Sequence, residues 1–324
     1  MLLPILLFVV GLLCLIKGGD WFVDGSVGLA RRFHVSELLI GATVVSIGTT
    51  LPEVMVSTAS AVGGHGEIAY GNAVGSIICN SSLIAALTIA IKPGKVQTKS
   101  LRVPVLFFFA TAVVYAATAY FTGYFSRPLG LVLLATFALY MFVNIRSMRS
   151  QKELPHEEGR EDEQEDSLPL STCVLRLVLG AALIALGADL LVDNGTLIAQ
   201  WLGVPESVIA LTFVALGTSL PELVTAVTSL AKGHGDLSLG NIIGANMFNL
   251  VLVSGMSVAL APFQIPQAAQ IMGHNASLVL DLPVMFLVML MLTLPPLLKG
   301  RTYRFQGIAM LLIYACFCAI QFSL

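Results

Sequence analysis

Charge is what this sequence has least of. Only 11% of its 324 residues are Asp, Glu, Lys or Arg, against about 25% in soluble domains. With 56% hydrophobic residues and a mean hydropathy of +0.89, that deficit excludes a soluble globular chain. Long apolar runs separated by short turns indicate an all-α polytopic membrane protein. Tryptophan is scarce, and Trp21 and Trp201 read as interfacial anchors. Five cysteines (Cys14, Cys79, Cys173, Cys316, Cys318) form no CxxC pair. They read as small buried hydrophobes and report no redox compartment. The net charge of -2 identifies no partner, and nothing in the chain calls for nucleic acid. The first twenty residues, "MLLPILLFVVGLLCLIKGGD", lack a basic leader and a small-residue cleavage site, so they are expected to be a first spanning helix.

Ten stretches reach membrane-crossing length: 2–23, 36–62, 68–91, 101–122, 128–147, 171–192, 205–231, 237–260, 275–297 and 303–323. One long polar segment interrupts them, "RSQKELPHEEGREDEQEDSLP", with eight of the nineteen acidic residues. It is expected to be a solvated linker. The predicted organisation is a first five-helix unit over 1–147, a linker over 148–170 and a second five-helix unit over 171–324. On this map 16 of the 17 Lys and Arg residues fall in or beside odd-numbered loops, and only Arg127 falls in an even one. The positive-inside rule then places the linker in the cytoplasm and both termini outside.

A shift of 169 residues lays the sequence on itself: "GTTLPE" meets "GTSLPE", "GHGEIAYGNAVGS" meets "GHGDLSLGNIIGA", and "GGDWFVD" meets "GADLLVD". Five helices per copy is an odd number, so the second copy enters the membrane inverted. Inverted repeats are typical of secondary transporters, which bind substrate near the midplane on broken helices.

Glu53 and Glu222 fall midway along helices 2 and 7, in matching sequence. An acid at such depth costs about 2.5–3.5 kcal/mol on insertion scales and marks a functional site. Ser46, Thr49 and Thr50 share a helical face with Glu53, and Thr218 and Ser219 repeat the arrangement beside Glu222. Pro52 and Pro221 free backbone carbonyls one turn earlier. Asn80 and Asn249 add amides from helices 3 and 8. This all-oxygen set suits a hard cation such as Ca²⁺, and two carboxylates would balance its charge. Gly71, Gly75, Gly240 and Gly244 stand in GxxxG spacing, which lets helices 3 and 8 approach helices 2 and 7. His34, His65, His156 and His274 read as loop residues. Asp281 has no counterpart in the first copy, where Ala112 stands, and reads as a local hydrogen-bonding or boundary residue.

The paired "GTTLPE…GNAVGS" and "GTSLPE…GNIIGA" resemble the two alpha repeats of the calcium/cation antiporter superfamily, in its sodium/calcium exchanger branch. They correspond here to 41–83 and 210–252. The resemblance spans nearly the whole chain. It implies that Glu53 and Glu222 bind Ca²⁺ and Na⁺ in alternation. The further ligands it implies are Thr49, Thr50, Thr218, Ser219, the carbonyls of Ser46 and Ala215, and Ser76, Asn80 and Asn249. It also implies a non-enzymatic antiporter of the bacterial inner membrane, with no cofactor, whose helices 1 and 6 slide across a steadier core, eased by Gly18, Gly19 and Gly187. Two positions depart from the family pattern: Ala245 replaces a serine, and Ile77 an asparagine. The missing hydroxyl at 245 keeps a proton-coupled Ca²⁺ antiporter open as an alternative. A cation channel and an intramembrane acid-dyad enzyme are readings of other classes. The liganding hydroxyls and the inverted symmetry have no role in the enzyme, and a channel would show no counter-ion dependence.

Overall fold

The computed structural model describes residues 2–152, 169–202 and 217–323. Ten helices follow in order: α1 (Leu2–Phe33), α2 (Glu37–Val62), α3 (Gly66–Ile91), α4 (Thr98–Thr122), α5 (Arg127–Lys152), α6 (Leu170–Trp201), α7 (Leu220–Ala231), α8 (Gly235–Leu260), α9 (Ser277–Lys299) and α10 (Arg304–Gln321). Nine of them are long and apolar enough to cross a bilayer, and α7, which starts at Leu220 after a turn at Thr218 and Ser219, has twelve residues. The beginning of the expected seventh span and most of the expected linker lie outside the described residues.

Helices α1 and α6 outrun the expected 2–23 and 171–192. Each is 32 residues long, about 48 Å at 1.5 Å per residue. The expected spans end just before Asp24 and Asp193, but both helices run on; in α1, Asp24 pairs with Lys232 and Arg176, and Asp20 with Lys232. Trp21 consequently lies within α1, beneath the Lys17 ammonium at 5.3 Å, and only Trp201 ends a helix. Cys79 and Cys173 are buried as expected, whereas Cys316 is exposed on the apolar helix α10 and would face lipid.

Helices α1 and α6 are antiparallel partners. A Cβ at Gly11 would meet the Gly187 carbonyl, one at Gly18 the Gly180 carbonyl, and one at Gly25 the Cys173 carbonyl, all at 2.7–3.0 Å. The residue numbers descend along α6 as they ascend along α1, the relation inverted copies require. Gly18 and Gly187 therefore bind the two long helices to each other. Gly19 instead abuts Val224 and Thr228 of α7, and Gly48 of α2 abuts Phe22 of α1. The main apolar core lies in α3, α4, α5, α8, α9 and α10. A second cluster joins α1 and α6 to α2.

Contacts between loops sort by parity. The turn after α4 pairs with the one after α8 (Tyr124 with Gln264, Phe125 with Phe263), and Phe263 crowds Gly66 at the start of α3. On the other face Lys95 after α3 bridges to Arg301 after α9, and His234 after α7 meets Glu37 at the start of α2. Even-numbered turns meet even, and odd meet odd, as ten alternating crossings demand.

Candidate functional site: a buried pair of carboxylates

Helix α2 is broken before it reaches the site. Residues Gly41–Val45 form a π-helical turn, after which α-helix resumes at Ser46 and passes through Pro52. The partner helices break at the matching place: π-turns run from Asn80 to Ala85 in α3 and from Asn249 to Val253 in α8. Such turns widen the backbone and concentrate at functional sites. Here they start at the two asparagines singled out in the sequence.

Close packing sets the depth of α8 against α2. A Cβ at Gly240 would fall 2.2 Å from the Leu38 carbonyl, and one at Gly244 2.2 Å from Ser46 Oγ. This half of the GxxxG expectation holds. Gly71 and Gly75 have no neighbour within 4 Å among the described residues. The equivalents of Leu38, Ala42 and Ser46 in the second copy, at 207, 211 and 215, lie outside them. So does Ala215, one of the residues implied as a ligand.

The remaining site residues converge. Glu53, Asn80, Glu222 and Asn249 are fully buried, and Thr49, Thr50, Ser76 and Ser219 nearly so. All four carboxylate oxygens of Glu53 and Glu222 lack a hydrogen-bond partner among the described residues, as do both amide ends of Asn80 and Asn249 and the Thr50 hydroxyl. Buried polar atoms are almost always paired, so this concentration of unpaired oxygens marks where a ligand belongs. The two carboxylates are close enough to repel each other, and the Thr49 and Thr50 hydroxyls lie toward Glu222. No Lys, Arg or His forms an ion pair with either glutamate among the described residues. No cluster of three His, Cys, Asp or Glu is found there either, which leaves no centre of the zinc or copper type. Two uncompensated carboxylates with amide and hydroxyl oxygens around them suit a hard cation.

Two residues that sequence reasoning passed over hold this arrangement together. Thr49 Oγ1 donates to Asn241 Oδ1 at 3.2 Å, and Thr218 Oγ1 donates to Asn72 Oδ1 at 3.3 Å. Asn72 and Asn241 are themselves 169 residues apart, so one bond is made twice, each time between opposite copies. Asn72 Nδ2 also donates to Ser57 Oγ at 2.8 Å and toward the Glu53 carbonyl at 3.5 Å. In the second copy Ala226 stands where Ser57 does, and Asn241 Nδ2 has no partner among the described residues. The signal was available: each asparagine follows the glycine in "GNAVGS" and "GNIIGA". The Ser46 hydroxyl is committed to structure, donating to the carbonyls of Gly41 (2.7 Å) and Asn241 (2.9 Å), which leaves its carbonyl as the group to consider. Ser76 has Ala245 as its counterpart on α8, and both are buried. Asp281 lies apart, accepting from Gln321 Nε2 at 2.6 Å.

The chain matches known proteins over nearly its whole length. The family model described as sodium/calcium exchanger protein matches residues 3–146 and 172–323. The inner membrane protein YrbG of Escherichia coli is 36% identical over 289 residues, 87% of each chain. The sodium/calcium exchanger MaX1 of Methanosarcina acetivorans is 29% identical, with 98% of each chain covered. A solved structure of the sodium-calcium exchanger NCX_Mj, soaked with Na⁺ and Sr²⁺, matches with a TM-score of 0.80 at 31% identity over 98% of both chains. The fold, the doubled motif and these matches establish that the chain is a multi-pass membrane protein belonging to the sodium/calcium exchanger family, a family of transporters and not of enzymes.

Proposed function

We propose that this protein exchanges Ca²⁺ for Na⁺ across the membrane, both ions competing for one site centred on Glu53 and Glu222. The observation that carries the reading is the pair of buried carboxylates with no counter-charge and no hydrogen-bond partner among the described residues. One Ca²⁺ neutralises both, and Asn80, Asn249, Thr50 and freed carbonyls supply further oxygens toward the six to eight that Ca²⁺ takes. Sodium ions at the same carboxylates achieve neutrality in another way, so each ion excludes the other.

Alternation follows from the charge. With two bare carboxylates the site resists being sealed from water, because each unpaired charge inside a membrane is costly. Loaded states close readily, which couples the two fluxes. The closing element is the α1–α6 pair, locked together through Gly18 and Gly187 and lying across the core at Gly19 and Gly48. The basic face is cytoplasmic, with the termini and His65 outside and the α5–α6 linker and His234 inside.

Reconstituted liposomes test the reading. A Na⁺ gradient should drive ⁴⁵Ca²⁺ uptake, and a proton gradient alone should not. Uptake driven by protons and indifferent to Na⁺ would replace this reading with the proton-coupled one, for which Ala245 is the motive. Uptake needing neither counter-ion would make the protein a channel.

A further inference from the structure

The segment 92–102 carries four basic residues and 299–304 carries three. The two are stitched together by the Lys95–Arg301 bridge and by the Val96 N–H, which donates to the Gly300 carbonyl at 2.9 Å. None of these seven side chains forms an ion pair with a carboxylate among the described residues. Beneath them lies a small open cleft with about 50 Å³ of room, lined by Lys92, Lys95, Thr302, Gly235, Asp236 and Ser238 among others. Helix α8 starts in this cleft, and its N-cap residue His234 provides no side-chain cap. Ser238, in the first turn, is 2% exposed, and its hydroxyl has no partner among the described residues. Asp236 lines the same cleft, where the two lysines outnumber its carboxylate.

Two ammonium groups, uncapped helix N–H groups and a spare hydroxyl make a binding site for an anion, and three-oxygen acceptors such as phosphate use all three kinds of donor. We propose that this cleft binds a phosphate group at the membrane surface, carried by an anionic phospholipid or free in solution. Basic pockets between helices at a membrane surface hold lipid headgroups by the same forces. The site is separate from the carboxylate pair and does not rest on the exchange reading. It grips α3, α8 and the turn after α9, all parts of the core, so an occupant would brace the core and leave the α1–α6 pair free.

The test uses the full chain in phosphatidylcholine nanodiscs, titrated in one arm with phosphatidylglycerol and in another with inorganic phosphate. Retained lipid is read by native mass spectrometry and protection by thermal unfolding. The variants are Lys92→Gln with Lys95→Gln, Ser238→Ala, and Arg32→Gln as an exposed control outside the cleft. Saturable binding in either arm, weakened about thirtyfold by the double lysine change, weakened by Ser238→Ala and unchanged by Arg32→Gln, supports the site. The arm that responds identifies the source of the phosphate. No saturable binding in either arm, an equal loss in Arg32→Gln, or full binding in Ser238→Ala would overturn it.

Discussion

The Thr49 hydroxyl donates to Asn241 Oδ1 across 3.2 Å, and Thr218 makes the same bond to Asn72. Each bond fastens the helix bearing one glutamate to a helix of the opposite copy. Removing an asparagine leaves a threonine hydroxyl unpaired, Thr49 buried and Thr218 half-buried, at about 1–3 kcal/mol for the buried one. Asn72→Ala and Asn241→Ala should therefore each raise the Ca²⁺ concentration for half-maximal exchange by about tenfold, since 1.4 kcal/mol is a factor of ten. Adding Thr218→Val to Asn72→Ala should cost little more, because the bond is already gone. Fully additive losses in that cycle would mean the pair does not act as a unit.

The two ends of the α1–α6 pair are held differently. Lys232 Nζ lies 2.7 Å from Asp24 Oδ1 and 3.2 Å from Asp20 Oδ1, and Arg176 stands 3.6 Å from Asp24. At the opposite end Asp189 and Asp193 are the equivalents, Lys232 is replaced by Gly63, and no ion pair forms among the described residues. We expect Lys232→Met to favour states open on the basic face. Half-exposed pairs contribute only about 0.2–1 kcal/mol each, so the shift should be a few-fold. Labelling of a single cysteine at Ser229 by an impermeant thiol reagent, in a background free of other cysteines, should speed up from that face. An unchanged rate would show that the ion pairs do not bias the closure.

Much of this was legible in the sequence. The two copies, the ten crossings and the glutamates follow from hydropathy and from a motif written twice. The length of α1 did not follow, because Asp24, just past its expected end, pairs with Lys232 and Arg176, distant in sequence. Asn72 and Asn241 were missed because an asparagine beside a glycine reads locally as part of a packing motif. Only the fold brings each to a threonine of the other copy. The π-turns at Asn80 and Asn249 leave no trace in composition or periodicity.

Potassium should be dispensable. Asn249 and Asn80 are neutral amides, and both are buried. Two carboxylates balance one Ca²⁺ and leave no charge for a further cation inside the membrane. Na⁺-driven Ca²⁺ flux should be the same with K⁺ or with an inert organic cation. A large loss without K⁺ would contradict this, and Asn249→Asp should create K⁺ sensitivity.

Orientation is checked at the two Gly-His-Gly turns. Cysteines replacing His65 and His234, in a cysteine-free background, should react with an impermeant reagent from opposite sides, 65 from outside and 234 from inside. Reaction of both from one side would contradict the inverted arrangement.

The central claim is that two carboxylates together hold the transported ion. Glu53→Gln and Glu222→Gln each preserve size and halve the charge at the site. ⁴⁵Ca²⁺ uptake into liposomes under a Na⁺ gradient measures the consequence directly. The account predicts exchange in the parent protein and none above background in either variant. Near-normal uptake by either one would show that the site does not depend on the pair.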